Sequence, residues 1–280
     1  MSALVRSLVA GDLPAVAAVG AAAFGFEIST PEVAERWSGR IAHPFATDPQ
    51  GGFVAERDGR VVGAAQVLVR ERLWVLSLLV VDPGGQSAGA GRELLAAALR
   101  HGARETDAGL IVSSNDSRAL RLYARFGFTL LPCFEAKGTI DRRALPREAA
   151  GVREGGDLEA LAALSREVRG APHTPELEFE LGRGAVMLHL GDRGFAVAMP
   201  GHAVWLLAAR DDDAARALLW AALELAGDSE QPLIRWITGE QGWAIDVAVR
   251  AGLGLRTYGA LCVRGRPGSL ARFIPSPPYA

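Results

Sequence analysis

The sequence predicts an α/β chain built as two unequal copies of one plan, and three observations carry that reading. The composition of the 280 residues, 49% hydrophobic and 22% charged, is that of an ordinary globular protein and excludes collagen-like, disulfide-framed and largely disordered chains. Strand-like apolar runs alternate with runs at helical spacing. A segment near the N-terminus, Asp12-Leu13-Pro14-Ala15-Val16-Ala17-Ala18-Val19, returns as Asp157-Leu158-Glu159-Ala160-Leu161-Ala162-Ala163-Leu164. At about 100 to 150 residues for a typical domain, the length fits two units.

Taken in order, the first half opens with Val5-Arg6, read as a strand, and Asp12, read as the N-cap of a helix with apolar residues at helical spacing. Phe53-Val54-Ala55-Glu56 and Val61-Val62-Gly63-Ala64-Ala65-Gln66 flank Arg57-Asp58-Gly59-Arg60, where the Asp-Gly pair favours a tight hairpin. Leu73 to Val81 reads as a buried strand. Gly91 to His101 carries Leu94, Leu95, Ala98 and Leu99 on one helical face and meets Gly102 at its end. Leu110-Ile111-Val112-Ser113 is a short strand, and Asp116 caps a helix that Gly127 ends.

The second half opens the same way, with Val152-Arg153 and then Asp157. Near its end Arg250-Ala251-Gly252-Leu253-Gly254-Leu255 echoes Arg125-Phe126-Gly127-Phe128-Thr129-Leu130, each after an apolar-faced helix. Two echoes in the same order support duplication. Between them, Lys137 to Gly151 is charged, contains Pro146 and lacks an apolar period. The expected organisation is therefore domain 1–140, linker 141–151 and domain 152–280. Trp205, Trp220, Trp236 and Trp243 read as core or interface residues.

With 30 Lys+Arg against 32 Asp+Glu, the formal charge is -2, and neither half is a basic module, which excludes a nucleic-acid partner. All basic residues but Lys137 are Arg, a skew expected of a GC-rich bacterial genome. Cys133 and Cys262 are the only thiols, which favours a reducing cytoplasm. Gly11, Asp12 and Pro14 break the N-terminal apolar stretch before a signal core forms, and no run approaches the roughly 20 residues of a membrane span. No metal-ligand set and no membrane partner are expected.

The main chemical signal is Val80-Val81-Asp82-Pro83-Gly84-Gly85-Gln86-Ser87-Ala88-Gly89-Ala90-Gly91-Arg92, between strand and helix. It lacks the lysine of a nucleotide P-loop and the third glycine of a dinucleotide fingerprint. Gly85-Gln86-Ser87-Ala88-Gly89 satisfies the nucleophile-elbow pattern of serine hydrolases, with Ser87 as nucleophile, but Asp82-Pro83-Gly84 intervene where the elbow turns straight off its strand. The remaining reading is anion capture by backbone N–H groups of the loop and helix start, with Arg92 adding charge.

This loop resembles the acyl-CoA loop, Q/R-x-x-G-x-G/A, of the GNAT N-acetyltransferase superfamily. Asn115-Asp116-Ser117-Arg118-Ala119-Leu120-Arg121-Leu122-Tyr123-Ala124-Arg125-Phe126-Gly127-Phe128 resembles the family's NxxAxxLYxxxGF helix. The resemblance covers about residues 4–136, and the second half resembles a degraded copy, as in tandem GNAT proteins. It implies two GNAT-like domains, each a mixed, mostly antiparallel sheet flanked by helices.

The resemblance also implies that acetyl-CoA is the cosubstrate and a primary amine the acceptor, which attacks the thioester directly. By it, Gln86, Ser87, Ala88, Gly89, Ala90, Gly91 and Arg92 bind the coenzyme A pyrophosphate. Leu79, Val80 and Val81 hold the pantetheine and polarise the thioester carbonyl, and Asn115 bonds the cofactor arm. Tyr123 is the general acid for the departing thiolate. Asn115 reads equally as a local cap, and Tyr123 lies on an apolar helix face. The strand 73–81 holds no acid, so the general base is unassigned.

Glu27, Glu32 and Glu35, with Phe24, Phe26, Trp37 and Phe45, occupy the region that shapes the acceptor pocket in the family, although such acids more often solvate a helix. His43, a lone histidine before Pro44, reads as a loop residue. In the second half Arg210-Asp211-Asp212-Asp213 replaces the glycine loop, and Gly242-Trp243-Ala244-Ile245-Asp246 lacks the Asn and Tyr, which points to lost catalysis there. The competing functions are a non-catalytic acyl-CoA sensor or scaffold and the Ser87 hydrolase. A homodimer is open.

Overall fold

The Asp-Gly pair turns its hairpin as predicted: Asp58 and Gly59 take φ of 51° and 73°, the left-handed pair of a type I′ turn, and Arg57 faces Arg60 across it. The computed structural model describes residues 3–85, 89–146, 151–199, 202–226 and 232–280. The chain forms two compact units, Met1–Gly109 with Pro278–Ala280, and Leu110–Pro277.

In the first unit β1 (Leu4–Ser7), α1 (Leu13–Phe24), α2 (Pro31–Thr47), β2 (Gly52–Arg57), β3 (Arg60–Arg70), β4 (Leu73–Val81) and α3 (Ala90–Arg100) follow in order. The strands lie in the order β1-β2-β3-β4, each pair antiparallel. Val16 and Val19 of α1, Ile41 of α2, Ala64 of β3, and Leu78 and Val80 of β4 share one core. Each large aliphatic side chain buried there contributes roughly 1.5–3 kcal/mol. Trp74 of β4 is fully buried, and its Nε1 donates to Ala98 O of α3 at 3.1 Å.

Two local expectations are corrected. Asp12 holds the N-cap position of α1 as expected, but its side chain makes no cap hydrogen bond there. Its carboxylate accepts from both Nη atoms of Arg6 at 2.7 and 2.9 Å and from Val9 N at 2.9 Å, because a 3-10 turn at Ala10–Asp12 puts Asp12 last in that turn. His43 lies not in a loop but within α2, with Pro44 inside the helix. Pro44 forfeits one backbone bond, yet the helix stays docked through buried Ile41 and Trp37, whose Nε1 donates to Ala17 O at 2.8 Å.

The second unit contains β5 (Ala108–Ser113), α4 (Ser117–Arg125), β6 (Thr129–Lys137), β7 (Arg153–Glu154), α5 (Leu158–Arg169), α6 (Thr174–Leu181), β8 (Val186–His189) and β9 (Gly194–Met199). After these come β10 (His202–Ala209), α7 (Asp212–Glu224), β11 (Leu233–Thr238), α8 (Gly242–Arg250), β12 (Gly254–Arg264) and β13 (Phe273–Ile274). One sheet runs β13-β10-β9-β8-β7 and the other β5-β12-β6-β11. β12 and β11 both pair antiparallel with β6. Thus β12, a strand of the second copy, lies between β5 and β6 of the first, and β6 lies between β12 and β11 of the second. Both sheets are mostly antiparallel and flanked by helices.

Both echoes have structural counterparts. Asp157 caps α5, accepting from Glu159 N at 3.0 Å. Gly127 and Gly252 have φ of 83° and 79°, and after each the next residue reaches back, Phe128 N to Tyr123 O at 3.1 Å and Leu253 N to Ala248 O at 2.9 Å. This is the same Schellman closure in α4 and α8. The buried face of α8, Trp243, Ala244, Val247, Ala248 and Ala251, packs with Leu218 and Leu219 of α7 and Ile234 and Ile237 of β11. Trp220 packs half-buried against the same core. Compactness divides the chain at Gly109, not at the 141–151 linker expected from the sequence.

Candidate active site

In the first unit β4 pairs with β3 through its C-terminal end, Ala65 opposite Leu79, Ala64 opposite Val80 and Gly63 opposite Val81. Asp82 N continues the pairing to Val62 O at 2.9 Å. The chain then turns, with Gly84 N donating to Asp82 Oδ1 at 2.8 Å. Gln86, Ser87 and Ala88 lie outside the described residues.

Gly89 opens α3 with φ of 86°. A Cβ there would meet nothing within 4 Å, so the requirement for glycine is conformational rather than spatial. Among the described residues no side chain caps α3, whose first N–H groups and positive dipole end face the chain before Gly89. Ala90 is buried, Gly91 half-buried and Arg92 exposed within this first turn.

The corresponding helix of the second copy differs. Asp211 caps α7 by accepting from Ala214 N at 2.9 Å, and Asp212 and Asp213 follow in the first turn. Arg193 holds Asp211 at 2.6 Å and Arg272 holds Asp212 at 2.7 Å. That N-terminus is already filled by carboxylate, and a pyrophosphate would meet like charge.

In the second unit Asn115 Oδ1 accepts from Gly259 N of β12 at 2.6 Å. Asp116 caps α4 through Arg118 N at 2.9 Å, and the Arg118 guanidinium at 3.0 Å holds its carboxyl below the usual range. Tyr123 is buried on α4. Burial pushes the phenol far above its ordinary value, so it stays protonated throughout the neutral range.

Some residues escaped the sequence reading. β4 carries a bulge at Ser77, since Gln66 faces Leu78 while Val67 faces Leu76. Ser77 Oγ and Gln66 Oε1 are buried without hydrogen-bond partners among the described residues. Gln66 Nε2 donates to Ile41 O at 2.8 Å, and Arg40 donates to Ser77 O. A polar pair within two apolar strands was the available signal. Of the acceptor-region residues, Phe24 and Phe26 are exposed and edge onto Trp37 at 6.1 and 5.0 Å. Glu27, Glu32 and Glu35 are exposed. His43 is buried, its ring 5.5 Å from that of Tyr279. Among the described residues no His, Cys, Asp or Glu cluster is arranged to hold a metal ion, and no helix is long and apolar enough to cross a membrane.

The fold is GNAT-like. Residues 21–128 match the model of the Acetyltransferase (GNAT) family. The chain's fold is similar to those of two solved structures that span nearly its whole length. It superposes on a putative acetyltransferase from Pyrococcus horikoshii with a TM-score of 0.82 at 18% identity, covering 100% of this chain and 96% of that one. It superposes on a tandem GNAT protein from the clavulanic acid biosynthesis pathway with a TM-score of 0.60 at 14% identity, covering 94% and 98%.

Among curated proteins, a mycothiol acetyltransferase of Streptomyces coelicolor is 37% identical over 130 residues, 44% of this chain and 42% of that one. One of Frankia alni is 36% identical over 149 residues, 45% and 42%. The match spans less than half the length of these relatives.

Proposed function

We propose that the chain is an acetyl-CoA-dependent N-acetyltransferase in which the first copy binds the cosubstrate and a primary amine is the acceptor. The observation that carries this reading is the glycine-opened N-terminus of α3 after β4, without a side-chain cap among the described residues, set against the aspartate-filled start of α7. The residues fit the group: Gly89, Ala90, Gly91 and Arg92, together with Gln86, Ser87 and Ala88, hold the pyrophosphate through backbone N–H groups and one guanidinium. Acetyl-CoA supplies an activated acetyl thioester.

Leu79, Val80 and Val81 orient the acyl arm and offer backbone donors where negative charge develops. Tyr123, kept neutral by burial, holds the proton that the leaving thiolate needs. Asn115 supports the reading differently from the resemblance, by holding β12 in place. β3 and β4 carry no carboxylate, so the amine loses its proton to water or to a group elsewhere. Residues 1–140 and 152–280 are the two copies, joined by 141–151. The name of the curated relatives makes a mycothiol-related amine the first acceptor to screen, in a cytoplasmic setting.

The test is calorimetric titration of the full chain with acetyl-CoA, followed by an amine screen read by release of free coenzyme A thiol. One site per chain and amine-dependent release support the proposal. Two sites would place a second donor site in the other copy, and absence of binding would sink the transferase reading.

A further inference from the structure

On β6, Phe134-Glu135-Ala136 sets a carboxylate among apolar neighbours, and Glu135 is 0% exposed. An ionised carboxylate buried alone costs several kcal/mol, and the sheet register supplies its partners. Arg256 of β12 stands directly opposite Glu135 and gives Nε and Nη2 to Oε1. From the other neighbouring strand, Arg235 of β11 gives Nε to Oε2 at 2.9 Å.

One guanidinium would balance the carboxylate, and the second leaves a net positive charge. Both Nη groups of Arg235 and Nη1 of Arg256 have no protein partner among the described residues. The Arg256 side chain is 70% exposed and that of Arg235 33%.

The Arg235 guanidinium is also held from the side, 4.6 Å over the Tyr258 ring and 5.9 Å from the Trp236 ring. Trp236 has φ of 56°, costly for a bulky side chain. Two contacts hold it there: its Nε1 donates to Ser113 O at 3.1 Å, and its ring meets Tyr258 edge-on at 5.7 Å. The strain falls where the β11 register against β6 shifts, between Ile234 and Ile237. Arg235 is thus fixed at Nε by a buried anion and at its face by an aromatic ring, with its outer fork bonded to no group among the described residues.

We propose that Arg235 and Arg256, anchored by Glu135 and Tyr258, form a binding site for a small oxyanion, the carboxylate or phosphate group of a ligand. The planar fork matches two oxygens of either group. Anchoring both heads beforehand removes much of the side-chain ordering cost that mobile arginines meet on binding. Glu135 itself is too buried to receive an external cation, so the cluster selects negative charge. This site does not depend on the transferase reading.

The test is calorimetric titration of the full chain with inorganic phosphate and, separately, with succinate, each at an ionic strength matched with sodium chloride. Saturable binding of at least one probe is expected, weakened roughly tenfold or more in Arg256→Ala and in Arg235→Lys, since bonds to charged groups carry most of such affinity. The unliganded thermal midpoint of Arg256→Ala should stay near wild type. Saturation by phosphate alone identifies a phosphoryl ligand, and saturation by succinate alone a carboxylate. Absence of saturable binding for both probes, or equal binding in both variants, overturns the site. Should a variant fail to fold, side-chain N–H resonances of Arg235 and Arg256 in the native chain decide: phosphate or succinate must shift them, and unmoved resonances overturn the proposal.

Discussion

Asn115 Oδ1 accepts the backbone N–H of Gly259 at 2.6 Å, tying the turn after β5 to β12 where its register against β6 shifts, between Thr257 and Ala260. Gly259 has φ of 62°, and a Cβ there would lie 1.9 Å from Ser113 O. Asn115→Ala should cost about 0.5–1.5 kcal/mol in urea unfolding. Gly259→Ala should cost more than about 2 kcal/mol, combining backbone strain with a backbone clash. If Asn115 acts only through β12, KM for acetyl-CoA is unchanged in the Asn115 variant at temperatures where it is folded.

Gly89→Glu puts a carboxylate at the start of α3, where the proposed pyrophosphate sits. Acetyl-CoA affinity should fall at least tenfold by calorimetry. Gly89→Ala adds no charge and meets nothing within 4 Å, so it should lose about 1–2 kcal/mol of stability through its left-handed backbone with a far smaller effect on binding. Equal binding losses in the two variants would show that loop shape, not charge, governs the site.

Tyr123→Phe removes only the hydroxyl and keeps the ring packed on α4, so the thermal midpoint should move little. As the proposed acid, Tyr123 should account for a fall in kcat of about 10²-fold or more. Because burial raises its pKa above the ordinary value near 10, the wild-type rate should show no loss of acid form as pH passes 10. Unchanged kcat in Tyr123→Phe would remove the hydroxyl from the mechanism.

Asp12 is held below the usual carboxylate range first by the hydrogen bond from Arg6. Its folded value lies under its unfolded one, so its contribution is fully present above about pH 4 and is lost as pH falls through the folded value. Asp12→Asn should lose roughly 1–3 kcal/mol at pH 7 and show a shallower decline in acid. Parallel acid titrations of the two proteins check this.

Cys133 and Cys262 are buried free thiols, and burial pushes each up to about 12. At pH 8 the thiolate is scarce, and both sulfurs are shielded. Labelling with an aromatic disulfide reagent should wait on unfolding, with a rate that rises with urea. Rapid labelling of the native chain would contradict this placement.

Local signals were legible because local physics produces them. The Asp58-Gly59 turn, the Gly127 and Gly252 helix ends, the Asp157 cap and the glycine-opened start of α3 each follow from backbone freedom or a nearby side-chain oxygen. Asp12 and His43 departed from expectation where a neighbouring turn and a docked helix face outweighed propensity.

Alone, the sequence determined the repeated plan, the two motif segments and the loss of the glycine loop from the second copy. Tertiary structure decided that β12 enters between β5 and β6, that Ser77 Oγ and Gln66 Oε1 are buried without hydrogen-bond partners among the described residues, and that Arg235 and Arg256 converge on Glu135. Strand pairing joins residues about a hundred or more positions apart, and backbone hydrogen bonding carries no mark of partner identity in any local pattern, so only the assembled sheet could bring those charges together.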